Sequence, residues 1–177
     1  MSKILVLSIG SELRGDDGVG KAIIEKLRIS QSLPTGVEIL DCGTSDLSTI
    51  LIRPEIKKII IVDAANMGLL PGEWRRILVN ENSCEIFDDN EQDNTHGLGL
   101  SHAISLSRIL GTLPDEVVVF GIQPQNVDYH QGLSDPVIST VTEVCTAIHF
   151  ELELTQPEED PAPNNIFAPI KLTESHV

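Results

Sequence analysis

A glycine-rich turn that contains two adjacent carboxylates is the feature of this 177-residue chain that points most directly to chemistry. The turn spans residues 10–20, directly after the apolar run 3–9, and it includes Asp16 and Asp17. A glycine-rich loop between a strand and a helix usually presents backbone N–H groups to a phosphate. Two carboxylates would repel that phosphate, so the turn favours a cation or a polar reacting group instead.

The same turn resembles two nucleotide-binding motifs but completes neither of them. Residues 15–21 match the first seven positions of a phosphate-binding P-loop, but Ala22 stands where the motif requires a Mg²⁺-binding hydroxyl. Glu12 occupies the position of the second glycine in the dinucleotide-binding signature. The sequence therefore disfavours binding of a nucleotide phosphate.

Alternating strand-like and helical segments must position these residues. Apolar, β-branched runs predict strands over residues 3–9, 37–40, 58–62, 74–79 and 117–122. Apolar residues at helical spacing, with Pro54 as a stop signal, predict helices over residues 19–27, 47–52, 98–110 and 137–154. This order predicts one α/β domain over residues 1–154, with a mostly parallel sheet, helices on both faces and strand 74–79 at an antiparallel edge.

The carboxyl ends of the predicted strands carry acidic side chains. Asp16 and Asp17 follow the first strand, Asp41 the second and Asp63 the third, while His96 precedes the helix 98–110. Ligands of such sheets bind beyond the carboxyl ends of the strands. Two carboxylates and one imidazole suit a divalent ion such as Ni²⁺, Zn²⁺ or Mn²⁺. The residues alone leave open the alternative that Asp63 caps a turn and His96 caps a helix.

Composition narrows the classes of partner and compartment. A net charge of −15 disfavours nucleic acid and is compatible with a cationic peptide, with a metal, or simply with solubility. No apolar run approaches the ~20 residues of a transmembrane helix, and no signal-peptide pattern is present, so we expect no membrane association. The three cysteines are widely separated and form no CxxC pair, which favours a reducing cytoplasm. Residues 155–177, rich in proline and acid, are expected to form a disordered or loosely docked tail.

Four segments resemble the nickel-iron hydrogenase maturation endopeptidase family. They are residues 10–20, residues 61–68 with the following 71–73, residues 95–100 and residues 120–124. The resemblance extends over about residues 3–150. The second and fourth segments look most like the subgroup that processes the hydrogenase of formate hydrogenlyase.

The resemblance implies a fold, an activity and a site. The fold would be a twisted, mainly parallel five-stranded sheet, and the activity would be removal of a short C-terminal extension from the hydrogenase large-subunit precursor after nickel insertion. The family's metal-contacting positions fall on Asp17, Asp63 and His96. Asp16 is the neighbouring acid, Asp41 matches another position linked to processing, and all five are candidate catalytic residues. Nickel would be carried by the substrate, other divalent metals could occupy the site, and the free protein would be a monomer.

Three further expectations accompany the resemblance. Ser11 stands where the family commonly has asparagine, so any loop-shaping role falls to a shorter side chain. Cys42, beside Asp41, is expected to be a small buried packing residue, and His130 a loop residue. The alternatives to a protease are a non-catalytic nickel-binding or precursor-binding maturation factor and a small-molecule hydrolase.

Overall fold

The structure, a computed structural model, describes residues 3–30, 33–44, 47, 50, 53–79 and 95–154. Residues 95–99 are described by their backbone alone. The predicted tail 155–177 lies outside the described residues, as do four of the six residues of the predicted helix 47–52. No helix in the described part of the chain is long and apolar enough to cross a membrane.

Five strands form one sheet in the spatial order β2-β1-β3-β5-β4. The strands are β1 (Lys3–Ser8), β2 (Val37–Asp41), β3 (Ile56–Ala64), β4 (Trp74–Leu78) and β5 (Glu116–Ile122). All neighbouring strands are parallel except β4, which runs antiparallel to β5 at the edge. The predicted five-stranded, mostly parallel sheet with an antiparallel edge is confirmed.

Three helices cover the two faces of the sheet: α1 (Val19–Ile29), α2 (Thr95–Ile109) and α3 (Asp135–Glu153). Because successive strand residues point to opposite faces, β1 contributes Val6 to the core with α1 and α3, and Leu5 to the core with α2. Both faces are therefore buried, which is why the central strands are continuous apolar runs rather than alternating patterns. The predicted helices on both faces are confirmed.

The expectation that His96 precedes a helix is wrong. Helix α2 begins at Thr95, so His96 is its second residue, three residues earlier than the apolar pattern predicts. Gly97 and Gly99 have low helix propensity and no side chain to extend an apolar stripe, so the pattern becomes visible only at Leu98. His96 consequently belongs to the first turn of a helix and not to a free loop.

The strand order creates a crevice at the carboxyl edge of the sheet. From β1 the chain goes to β2 on one side and later to β3 on the other. Such a reversal of strand order separates the loops that follow the two central strands and leaves a ligand-binding crevice between them. In this chain the loop after β1 carries Asp17, and Asp63 is the penultimate residue of β3.

A buried ionic cluster lies about 16 Å from that crevice, five residues back along β3. Glu151 of α3 accepts a hydrogen bond from Lys58 Nζ at 2.6 Å and another from Arg76 Nε at 2.6 Å. Glu116 lies 2.9 Å from the same Lys58 ammonium. The hydrogen bond from Arg76 is the largest influence on the pKa of Glu151. Together with Lys58 it outweighs burial, which raises the pKa, and lowers the pKa to about 2. The cluster joins α3 to β3, β4 and β5.

Replacing Glu151 with glutamine is expected to destabilise the fold by about 1–3 kcal/mol, because it removes the buried carboxylate that pairs with the buried Lys58 and the partly exposed Arg76. The folded pKa of about 2 lies below the ordinary value of 4.5, so this stabilisation is complete above pH 4.5 and disappears as the pH falls towards 2. Urea unfolding at pH 7 and pH 3 measures both effects. Glu153→Gln, on the exposed end of the same helix, is the control, and equal losses in the two variants would contradict the assignment.

Candidate functional site

The candidate site contains two buried carboxylates at the crevice between β1 and β3. Asp17 lies in a short 3-10 turn, Gly15–Gly18, and is 5% exposed, while Asp63 is 4% exposed. Oδ2 of Asp17 accepts a hydrogen bond from the backbone N–H of Ser11 at 2.8 Å. Two buried carboxyl groups therefore lie at one edge of the sheet.

Glycines allow the turn that carries Asp17 to approach the sheet. Gly10 has φ of +116°, and a Cβ there would lie 2.0 Å from the carbonyl oxygen of Asp17. A Cβ at Gly20 would lie 2.8 Å from the carbonyl oxygen of Val62 in β3. These glycines therefore allow backbone to pack closely against backbone. In the P-loop that their spacing resembles, glycines instead allow backbone N–H groups to surround a phosphate.

Ser11 supports the loop mainly through its backbone. Its N–H donates the hydrogen bond to Asp17. Its hydroxyl oxygen accepts the N–H of Leu13 at the long distance of 3.4 Å. A contact of that length is a weak hydrogen bond. The short side chain is therefore compatible with the loop conformation that holds Asp17.

Asp16 is fully buried and joins the 3-10 turn to the loop after β5. Oδ2 accepts hydrogen bonds from the N–H groups of Gln125 and Asn126 and from the Ser134 hydroxyl, at 2.8, 3.0 and 2.9 Å. Oδ1 accepts the N–H of Ser134 at 2.6 Å. Ser134 is the residue before helix α3, so the carboxylate also lies at the positive end of that helix.

These contacts decide what Asp16 can do chemically. Burial is the largest single influence and opposes ionisation, but the hydrogen bonds from Ser134, Asn126 and Gln125 together outweigh it and lower the pKa of Asp16. A carboxylate with a lowered pKa and both oxygens engaged is a poor proton acceptor. We therefore interpret Asp16 as a positioning residue that fixes its neighbour, Asp17.

Asp41 is the last residue of β2 and lies at the same edge of the sheet. Its Oδ1 accepts hydrogen bonds from the Ser8 hydroxyl at 2.7 Å and from the N–H of Gly43 at 3.2 Å. The adjacent Cys42 is buried in the core, as predicted, and burial followed by the charge of Asp41 raises the pKa of its thiol to about 11. The buried position supports the packing role predicted for Cys42.

For His96, the third member of the predicted triad, the structure describes only the backbone. It is placed in the first turn of α2, and its side chain lies outside the described residues. Among the residues that the structure describes, no group of three His, Cys, Asp or Glu side chains is arranged to hold a metal ion. The convergence of Asp17, Asp63 and His96 on one point therefore stays a prediction.

Gln123 has a structural role at the site that the sequence analysis missed. It directly follows β5, is buried, and its Oε1 accepts the N–H groups of Met67 and Leu69 at 2.7 and 3.2 Å. Its amide nitrogen donates to the Asn66 side chain at 3.2 Å. Gln123 thus orders the loop that follows Asp63. The sequence signals were its place in the segment 120–124 and its position after an apolar strand and before proline.

His130 is an exposed loop residue, as predicted. Its carbonyl oxygen accepts the N–H of Gly15 at 2.8 Å, and its ring packs so closely that a Cβ at Gly15 would lie 2.2 Å from Cε1. Its Nδ1 is 3.0 Å from the carbonyl oxygen of Asp128. The residue therefore contributes a second link between the loop after β5 and the turn that carries Asp17.

Comparison with known proteins connects this geometry to one family. The family model described as hydrogenase maturation protease matches residues 22–151. The hydrogenase 2 maturation protease of Escherichia coli (strain K12) is 32% identical over 136 residues, which cover 76% of this chain and 81% of that protein. The HupD hydrogenase expression/formation protein of Bradyrhizobium diazoefficiens is 33% identical over 137 residues, 77% of this chain and 70% of that protein.

A solved structure supports the same comparison. The hydrogenase maturating endopeptidase HybD of Escherichia coli superposes with a TM-score of 0.76 and 28% identity, over 86% of this chain and 93% of that one. Several sequence relatives are longer than the shared region, which spans 64% to 70% of the length of three HupD and HoxM proteins. The superposition with HybD nevertheless shows that the fold is shared over nearly the whole of that structure.

Asp16→Asn is expected to destabilise the protein by about 2 kcal/mol or more at pH 7. In the wild type, N–H groups donate to both carboxylate oxygens, whereas in the variant one of these oxygens is replaced by an NH₂ group that cannot accept a hydrogen bond. The folded pKa is lowered from the ordinary 3.8, so the wild-type advantage is complete above that value and is lost as the pH falls below it. Denaturant unfolding between pH 7 and pH 3 measures this. Asp128→Asn, exposed in the same loop, is the control, and a wild-type advantage that is constant down to pH 3 would contradict the assignment.

Proposed function

Because this chain belongs to the hydrogenase maturation protease family, we propose that it removes the C-terminal extension of a nickel-iron hydrogenase large-subunit precursor. The observation that carries the proposal is the placement of Asp17 and Asp63, both buried, on the two sides of the crevice between β1 and β3. The formate-hydrogenlyase subgroup, the cytoplasmic location and the monomeric state stay predictions.

We propose that nickel enters this reaction as part of the substrate. Asp17, Asp63 and His96 would contact the nickel of a loaded precursor, because carboxylate and imidazole donors suit a borderline divalent ion. The burial of both carboxyl groups at the carboxyl edge of the sheet supports this proposal. Recognition would then be a difference in affinity between loaded and empty precursor.

Hydrolysis also needs a group that takes a proton from the attacking water. The water oxygen adds to the scissile carbonyl carbon, the C–N bond breaks, and the departing amine takes up a proton. Asp16 is unsuited to the first step because its oxygens are engaged by hydrogen bonds. Asp41 is better suited, because no described residue donates a hydrogen bond to its Oδ2.

Intact-mass measurement of the precursor, incubated with the purified protein, tests the proposed function. A mass decrease equal to that of the C-terminal extension, for nickel-loaded precursor only, is the expected result. A complex that forms without any mass change would identify a non-catalytic maturation factor. Cleavage of simple amides or esters without a protein partner would identify a small-molecule hydrolase.

Asp63→Asn should abolish processing without loss of the fold, because the amide keeps the shape of the side chain but removes one negative charge from the site. The rate of precursor shortening and the circular dichroism spectrum are measured together. Asp115→Asn, an exposed substitution at the other end of the sheet, supplies the matched control. An unfolded Asp63→Asn protein would instead show that Asp63 is structural.

Wild-type protein is expected to bind nickel-loaded precursor at least about tenfold more tightly than metal-free precursor, a difference of ~1.4 kcal/mol. His96→Ala should reduce this ratio and leave binding of metal-free precursor nearly unchanged. Calorimetric titration of both precursor forms against both proteins gives the four affinities. Equal affinity of the wild type for the two forms would rule out recognition through nickel.

A further inference from the structure

Arg14 is held in a fixed position beside the turn that carries Asp17. It directly precedes that turn, and its backbone forms a bridge with His130. Its Nε donates a hydrogen bond to the carbonyl oxygen of Val127 at 3.3 Å, and its guanidinium carbon lies 5.9 Å from the ring centroid of Tyr129. Cation–π contact and hydrogen bonding together orient the guanidinium before any ligand arrives.

The guanidinium of Arg14 has no acidic partner within the described part of the chain. By contrast, Arg53 makes two hydrogen bonds of 2.8 Å to Glu38, and Arg76 is bound to Glu151. Arg14 is half-buried, although the protein has a net charge of −15. Its two terminal NH₂ groups make no hydrogen bond to a described residue and are available to an acceptor from outside.

The surroundings of Arg14 suit an extended peptide. Tyr129, whose ring contacts the guanidinium, is 87% exposed, and Leu13, the residue before Arg14, is 53% exposed. A guanidinium binds a carboxylate through two parallel hydrogen bonds, a geometry that a lysine ammonium does not reproduce. A carboxylate-bearing peptide would otherwise be repelled by Asp17 and Asp63, so a cation is needed where such a peptide passes.

We propose that Arg14, supported by Tyr129, binds a carboxylate on the C-terminal segment of the precursor and thereby sets which precursors enter the site. This inference rests on the proposed function and adds a specificity-determining residue to it. The carboxylate has two possible sources, the α-carboxylate at the end of the precursor and an acidic side chain within the extension. Both present the same planar pair of oxygens to the guanidinium.

The test measures kcat and KM for shortening of nickel-loaded precursor by Arg14→Ala, Arg14→Lys and the control Arg28→Ala. Arg28 lies in the last turn of α1, so its loss changes the net charge equally but far from the turn. Arg14→Ala is expected to raise KM about tenfold with kcat nearly unchanged. Arg14→Lys should recover only part of that loss, and added salt should narrow the difference between wild type and Arg14→Ala.

Two precursor variants distinguish the sources of the carboxylate. Replacing the acidic side chains of the extension with amides should raise KM for the wild type but not for Arg14→Ala if a side chain is bound. Adding two glycines to the C-terminus of the precursor should raise KM for the wild type but not for Arg14→Ala if the α-carboxylate is bound. If neither change depends on Arg14, or if Arg14→Ala behaves as Arg28→Ala does, the inference is overturned. Failure of the wild type to shorten the precursor would refute the proposed function instead.

Discussion

The buried carboxylate of Asp16 connects the loops on which the candidate site depends. Its hydrogen bonds reach Gln125, Asn126 and Ser134 in the loop after β5, while its own backbone lies in the turn after β1. Gln123, in turn, ties the beginning of that loop to the segment after β3. The loops that follow β1, β3 and β5 are thus joined by charged and neutral hydrogen bonds. Such support limits how far Asp17 and Asp63 can move relative to one another.

The two ends of the sheet carry different arrangements of charged side chains. At the amino end, Lys58 and Arg76 neutralise Glu151, and the cluster serves the packing of α3. At the carboxyl end, Asp17 and Asp63 carry buried negative charge on the sides of a crevice. The first arrangement stabilises the fold, whereas the second is the basis of our proposal that the substrate brings a cation to the site. This contrast is the physical basis for assigning function to one end and stability to the other.

Much of the fold could be predicted from the sequence, because its signal is local. The central parallel strands are buried on both faces and therefore form continuous apolar runs, and acidic residues lie at the edge where sheets of this kind bind ligands. The start of α2 was predicted wrongly because glycines interrupt its first turn. The ties made by Asp16 and Gln123 join residues 54 to 118 positions apart in the chain, so no local pattern reveals them.

The most direct test of the central claim is nuclear magnetic resonance of the isotopically labelled protein during addition of Ni²⁺, which is paramagnetic when bound by oxygen and nitrogen donors. If Asp17, Asp63 and His96 form one metal-facing site, the backbone signals of residues 10–20, 63–68 and 95–99 should broaden together as nickel is added, although the free protein is expected to bind the ion only weakly. The same broadening should be absent in Asp63→Asn. Broadening confined to the surroundings of His102 or His149, with these three segments unaffected, would contradict the account.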